Sequence, residues 1–226
     1  MNNKGIVLQL QREALDGSSD ILSLLRKVRI ISYKLGLEEL STWVKNEVGG
    51  YTHGDSSEKV PKYRHITGGT IEFFNPSHGY SPTSIGDINI KRELEKVVIS
   101  IGIPQITSYL NSNNTEFRYE FDPRIQKILN NESNTPVFLS FSIRYPISCL
   151  YQILEDVRNV VIDWTLLLES NGILGADLTF SEKEIGTAAT TTSIVNFITN
   201  IFKDSSDIQI QQNSKDAEQT VNSEKE

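Results

Sequence analysis

The most regular hydrophobic pattern in the chain lies in residues 147–171, between Pro146 and Gly172. Its apolar residues recur at steps of three and four, so they line one face of an α-helix. They are Ile147, Leu150, Tyr151, Leu154, Val157, Val161, Trp164 and Leu168. Pro146 suits a helix start and Gly172 the position just past a helix end. A helix of about 25 residues is roughly 37 Å long, so we predict that it crosses the domain as its central element.

Similar stripes predict three shorter helices near the start of the chain. They cover residues 6–16, residues 21–35 and residues 37–49. The run Gly17-Ser18-Ser19-Asp20 supplies a stop followed by N-cap residues, and glycines follow the second and third helices. Turns this short force neighbouring helices to pack together, so the pattern predicts a compact N-terminal helical unit.

From Tyr63 onward, strands enter the pattern. Residues 70–74 are rich in β-branched and aromatic types, residues 117–121 alternate apolar and polar, and residues 137–143 alternate again, with Leu139, Phe141 and Ile143 on one face. Residues 75–82 are dense in turn formers, and residues 88–99 fit either a helix or a strand. Short helices are predicted over residues 104–110 and 123–131.

These elements predict an α+β fold. It comprises the N-terminal helical unit, a small and mostly antiparallel sheet, one long central helix and a C-terminal amphipathic segment. We divide the chain into a domain over residues 1–185, an uncharged amphipathic segment over 186–203, and a polar, mobile tail over 204–226.

The segment at residues 186–202 contains no charged residue. Its second half places five apolar residues at helical spacing, so we predict an assembly surface formed by Ile194, Phe197, Ile198, Ile201 and Phe202. The segment contains too many Thr, Ser and Asn residues to cross the hydrocarbon core of a membrane. Insertion into a membrane interface stays an alternative.

Composition then narrows the function classes. A net charge of −7 disfavours sequence-independent binding to nucleic acid. The single cysteine, Cys149, excludes an intramolecular disulfide, and the three histidines have no metal-site spacing. We expect no cofactor. The N-terminal residues have no signal-peptide pattern, so a cytoplasmic protein is expected.

Candidate chemistry is sparse. His78 is the best catalytic candidate, in the loop Asn75-Pro76-Ser77-His78-Gly79-Tyr80, but no nucleophile or acid beside it completes a triad. We therefore assign no catalytic residue and treat His78 and Tyr80 as a candidate interaction loop. Arg158 is interpreted as a structural ion-pair partner of Glu155, and Cys149 as an unreactive thiol.

Four stretches, taken in their order and spacing, resemble one family. They are Leu10–Leu15 with Leu24–Lys27; Leu35–Glu39 with Trp43 and Glu47–Tyr51; Pro61–Arg64 leading to Phe74–Gly79; and Val157–Asn159 through Asp163-Trp164 to Gly172-Ile173. This arrangement is similar to the AbiTii domain, named for an abortive-infection phage-resistance protein, over about residues 6–185. The resemblance implies a bacterial antiviral role and brings no catalytic residue set.

We therefore expect a phage-defence protein that acts by binding and self-assembly, without intrinsic catalysis. Its expected partners are a second copy, a phage component or a neighbouring defence protein. The first alternative is a defence hydrolase or nuclease that uses His78. The second is a membrane-active effector that uses residues 186–202.

Overall fold

The structure, a computed structural model, describes residues 5–51, 60–86, 88–133 and 135–201. It confirms the α+β class. The helices are α1 (Ile6–Leu15), α2 (Ile21–Lys34), α3 (Glu38–Gly49), α4 (Ile88–Leu94), α5 (Ile103–Leu110), α6 (Pro123–Ser133), α7 (Ser148–Ser170), α8 (Glu182–Thr190) and α9 (Thr192–Ile201). The strands are β1 (His65–Ile66), β2 (Thr70–Asn75), β3 (Gly79–Pro82), β4 (Val97–Val98), β5 (Glu116–Glu120) and β6 (Ser140–Pro146).

Helix α7 is the predicted central helix. It packs against α1, α2, α5 and α9, and Trp164 is buried in the core, as its place on the apolar stripe indicates. Gly172 ends the helix with φ of 72°, a conformation that glycine adopts without steric cost. The N-terminal helices also form as predicted, and the Asp20 side chain caps α2 by accepting from the Ser23 N–H at 3.0 Å.

The strands form a four-stranded antiparallel sheet in the order β3-β2-β6-β5. One face packs into the core with Ile71, Phe141, Ile143 and Tyr145, all buried. Strand alternation puts Glu72, Phe74, Ser142 and their neighbours on the opposite, outer face. β1 and β4 form a separate two-stranded sheet.

The predicted bounds of β6 were wrong. β6 begins at Ser140 rather than Val137, and Val137 and Phe138 are exposed. The strand instead continues to Pro146, because β5 pairs along it from Ser142 to Pro146. Within residues 75–82, the predicted turn lies at the tip of the hairpin, and Gly79–Pro82 form the edge strand β3. Residues 88–99 contain both a helix, α4, and a strand, β4.

Helix α6 takes the place of a strand where β5 ends. The Gln126 side-chain amide donates to the Phe141 carbonyl at 2.6 Å and accepts from the Phe141 N–H at 2.9 Å. The Asn130 amide bonds both backbone groups of Leu139 in the same way, at 2.8 and 2.7 Å. Two side-chain amides therefore satisfy the backbone groups of Leu139 and Phe141, so these residues need no partner strand on that side.

Helix α8 covers Glu182–Thr190, so the chain is helical on both sides of the boundary placed after Ile185. Ser181 and Glu184 form a capping box at its start, and the hydroxyls of Thr187 and Thr190 donate to carbonyls four residues earlier. A boundary between residues 185 and 186 thus divides a helix. The tail, residues 204–226, lies outside the described residues.

Candidate functional site

The outer face of the four-stranded sheet carries a cluster of charged and aromatic side chains. Register places Glu72 of β2 opposite Ser142 of β6, and Ser142 opposite Glu120 of β5. Arg118 lies opposite Arg144, and Phe74 lies opposite Tyr80. The cluster therefore draws residues from all four strands onto one surface.

Glu72 is the centre of this cluster, although its side chain is only 3% exposed. Its carboxylate accepts hydrogen bonds from Nε of Arg118 and, at 3.1 Å, from Nε of Arg144. Arg144 also pairs with Glu116. The hydrogen bond to Glu72 is the main cause that raises the pKa of Arg144. Because a buried carboxylate needs such compensation, the two arginines are held in place across three strands.

An aromatic group borders this network. The guanidinium carbon of Arg118 lies 4.2 Å from the centre of the Tyr80 ring, and the Phe74 and Tyr80 rings are 5.2 Å apart. Phe74 and Tyr80 are 41% and 46% exposed. Tyrosine and arginine are the types most often found where one protein binds another strongly. We call Phe74, Tyr80 and Arg118 the aromatic–arginine patch.

Ser142 lies between Glu72 and Glu120 in the sheet. Its residue is 3% exposed, and its Oγ has no hydrogen-bond partner among the described residues. A buried hydroxyl without a partner costs free energy. The neighbouring Glu72 carboxylate is already occupied by two arginines.

The sequence singled out Tyr80 but missed Phe74, Arg118 and the charges behind them. A local signal existed in the alternation of residues 116–120, where charged residues occupy every second position. That alternation places charges on one face. It does not reveal that Glu72 lies next to Arg144, because those residues are 72 positions apart.

His78 lies at the tip of the β2–β3 hairpin and is exposed. Asn75 shapes the turn, because its side chain accepts from the Ser77 N–H at 2.9 Å and its carbonyl accepts from the His78 N–H at 3.2 Å. Within the described part of the chain, no hydrogen bond or ion pair joins the His78 ring to another side chain. His65 contacts the Val60 carbonyl, and His53 lies outside the described residues.

A second polar cluster is buried between α3 and the chain before β1. The Glu47 carboxylate accepts from the hydroxyls of Tyr51 and Tyr63 at 2.7 and 2.6 Å, and it forms a two-pronged ion pair with Arg64 at 3.1 and 2.5 Å. Trp43 donates its ring N–H to Tyr63. Burial, together with the nearby Glu47 charge, raises the pKa of both tyrosine hydroxyls.

Every member of this cluster is satisfied, which is the arrangement expected of a structural network. Arg64 also donates to the carbonyls of Ile99 and Ile101, so it ties three chain segments together. A depression of about 280 Å³ beside it is lined by Gly50, Ile101, Gln105 and their neighbours. Its titratable side chain, Tyr51, already donates to Glu47.

Arg158 has a comparable structural role. Its guanidinium donates to the carbonyls of Asp16, Gly17 and Ser19 at 3.0–3.3 Å, in the turn between α1 and α2. The predicted pair with Glu155 is present at 3.4 Å, but Glu155 is largely exposed. Cys149 is partly buried, and burial raises the pKa of its thiol. The contacts of Arg158 and the raised thiol pKa of Cys149 therefore fit structural roles better than catalytic ones.

Comparison with known proteins gives one result. A family model described as AbiTii matches residues 5–193. The chain belongs to the AbiTii family. Membership implies a role in abortive-infection phage defence. No curated protein and no solved structure matches the chain.

Five of the residues that carried the resemblance meet in the AbiTii fold. Trp43, Glu47, Tyr51, Tyr63 and Arg64 come together in the buried network, although two separate stretches of sequence supply them. The match also extends to residue 193, so it includes α8 and the start of α9.

The predicted assembly stripe is partly used inside the AbiTii fold. Ile194 and Ile201 are 2% and 9% exposed and belong to the core, and Phe197 packs against it. Helix α9 docks on α3, α7 and α8. A second copy is therefore not needed to bury Ile194 or Ile201. The side chain of Ile198 and all of Phe202 lie outside what the structure describes.

A metal site and a membrane span each require a particular set of residues. Within residues 5–51, 60–86, 88–133 and 135–201, no cluster of three or more His, Cys, Asp or Glu side chains is placed to hold a metal ion. No helix in those ranges combines the length and apolar character that crossing a bilayer requires.

Proposed function

We propose that this AbiTii protein serves phage defence by binding another macromolecule and by self-assembly, without catalysis of its own. The aromatic–arginine patch carries the proposal. Phe74, Tyr80 and Arg118 present exposed apolar and cationic groups on a sheet that fixes their positions. Such rigid anchors dominate the affinity of many protein interfaces. The partner proposed for this patch is a phage component or a neighbouring defence protein.

The charge of the cluster favours a protein partner. Arg118 and Arg144 are balanced by Glu72 and Glu116, and Glu120 adds one more carboxylate. A surface without excess positive charge gives no counterion-release drive for binding nucleic acid. Aromatic contacts with a polar surround instead suit a protein surface.

The geometry gives less support to the two alternatives. A hydrolase would need a base and a nucleophile near His78, and the described hydrogen bonds of that hairpin serve its turn. A membrane-active segment would need its apolar residues free, but Ile194 and Ile201 are buried on the domain.

Bacteria expressing each variant and challenged with phage provide the test. Tyr80→Ala removes an anchor, and losing such an anchor costs about 2 kcal/mol or more, or about 30-fold in affinity. We expect it to reduce plaque protection at an unchanged melting temperature. Tyr80→Phe keeps the ring over which Arg118 lies and should retain most protection.

His78→Ala is the matched control, because it alters the same hairpin without touching the patch. We expect it to protect like the wild type. Loss of protection in folded His78→Ala, with Tyr80→Ala unaffected, would contradict the proposal and favour the hydrolase.

A further inference from the structure

Strand β5 is one edge of the four-stranded sheet, and no strand in the described residues pairs with its outer side. The hydrogen bond from the Ile147 N–H to the Thr115 carbonyl, at 2.9 Å, fixes the alternation of the ladder between β5 and β6. Thr115, Phe117 and Tyr119 therefore direct their backbone groups toward β6. Glu116, Arg118 and Glu120 direct theirs away from the sheet.

These outward groups have no backbone or side-chain partner among the described residues. Strand β6 differs from β5 in this respect. Where β6 extends beyond β5, Gln126 and Asn130 satisfy its backbone groups. Along β5 the described residues supply no such cover, and Arg118, Tyr119 and Glu120 are exposed. An edge of this kind is a template for another strand.

We propose that β5 pairs antiparallel with β5 of a second copy, about a two-fold axis at Tyr119. This inference rests on the self-assembly in the proposed function and assigns it a surface. The axis makes Arg118 and Glu120 of one copy lie opposite Glu120 and Arg118 of the other. Both residues direct their backbone groups outward, so each of these pairs exchanges two hydrogen bonds.

Charge selects this register over its neighbours. An axis at Arg118 would bring two arginines face to face and would also oppose Glu116 to Glu120, so like charges would meet throughout. An axis at Phe117 would set Arg118 against Glu116, which already pairs with Arg144. The axis at Tyr119 uses Glu120, whose carboxylate has no ion-pair partner in the described residues, and places it beside Arg118 of the second copy, whose Nε pairs with Glu72 of its own chain. Glu116 then lies opposite Asp122, which is outside β5 and whose carboxylate accepts from the N–H groups of Arg124 and Ile125.

Cysteine cross-linking reads the register directly. Opposed residues at a non-hydrogen-bonded antiparallel position have Cα atoms about 4.5 Å apart, within the range of a disulfide. In a Cys149→Ser background, Tyr119→Cys should form a covalent dimer under mild oxidation. Tyr109→Cys, exposed on α5, should stay monomeric as the matched control. Phe117→Cys should also stay monomeric, and its cross-linking in place of Tyr119→Cys would overturn the register.

A backbone substitution tests the pairing without cysteine. Glu120→Pro removes an outward N–H and leaves the ladder with β6 intact. Glu120→Thr removes the same charge but keeps the N–H. By sedimentation equilibrium, we expect Glu120→Pro to dimerise about 30-fold more weakly than Glu120→Thr, because each copy loses one donor.

Equal dimerisation by folded Glu120→Pro and Glu120→Thr would overturn the proposal, as would a monomeric wild type at tens of micromolar. These outcomes are separable from failure of the binding function. A monomer whose plaque protection still depends on Tyr80 would lose the assembly surface and keep the partner surface.

Discussion

Single polar residues fix the packing of this fold at several points. Glu47 and Arg64 both have fully buried side chains, and removing two such charges from water costs several kcal/mol per ion. Arg64 recovers that cost through four hydrogen bonds, two to Glu47 and two to backbone carbonyls. Removing either side chain therefore leaves the other charge buried without compensation, so single substitutions at this pair should destabilise the fold.

We expect Glu47→Gln to lower the free energy of unfolding by roughly 3–5 kcal/mol, because it leaves the Arg64 charge buried and uncompensated. Glu39→Gln, exposed on the same helix, should change it by less than about 0.5 kcal/mol. Urea denaturation of both variants measures the difference. Similar values for the two would show that Arg64 reaches water when Glu47 is neutral.

At the scale of elements, the helices with long apolar stripes were predictable, whereas α8 and the details of the sheet were not. The apolar stripe of α7 fixed its length to within two residues at each end, because helical periodicity is read from neighbouring residues alone. The start of β6 at Ser140 coincides with the last residue pair of its ladder with β2. On its other side the backbone is bonded by Gln126 and Asn130 of α6, and neither contact can be read from neighbouring residues. The hairpin sequence made Tyr80 a candidate interaction residue, and the approach of Arg118 to its ring depends on strand pairing that the sequence does not show.

Helix α8 gives a prediction of pH dependence. Burial raises the pKa of Glu184, but hydrogen bonds from Ser181, Gly175 and Leu174 outweigh it and lower the pKa to about 2. A carboxylate with a lowered folded-state pKa stabilises the fold fully above its ordinary value of 4.5. That contribution is lost as pH falls toward about 2.

Thermal melts of the wild type and Glu184→Gln from pH 6 to pH 2 measure this effect. The wild type should melt higher at pH 6, and the difference should shrink below about pH 4.5. A difference that stays constant down to pH 2 would mean that the capping bonds do not need the charge.

At the scale of the whole molecule, α8 and α9 belong to the folded unit. The family match reaches residue 193, and Ala188, Ile194 and Ile201 all lie in the core. A cut after Ile185 would therefore remove core side chains and divide α8. Loss of assembly in such a truncation would not separate an oligomer contact from a folding defect.

Point substitutions avoid that difficulty. Ile194→Ala should cost roughly 2–5 kcal/mol of stability, because it leaves a cavity in the core. Val195→Ala, at a position 45% exposed, should cost much less and serves as the neighbouring control. Denaturant melts combined with light scattering separate the two effects. If Ile194→Ala is as stable as the wild type but fails to assemble, the apolar stripe of α9 would be an oligomer contact after all.

The two amides that line β6 have a consequence for hydrogen exchange. The N–H of Leu139 bonds to Asn130 and the N–H of Phe141 bonds to Gln126, both on α6. These backbone protons become free to exchange with solvent when α6 moves away or when the Asn130 and Gln126 side chains rotate away from them. The protection factors of Leu139 and Phe141 therefore report the local opening of the contact between α6 and β6. Hydrogen exchange would measure the free energy of that opening without any substitution or attached probe.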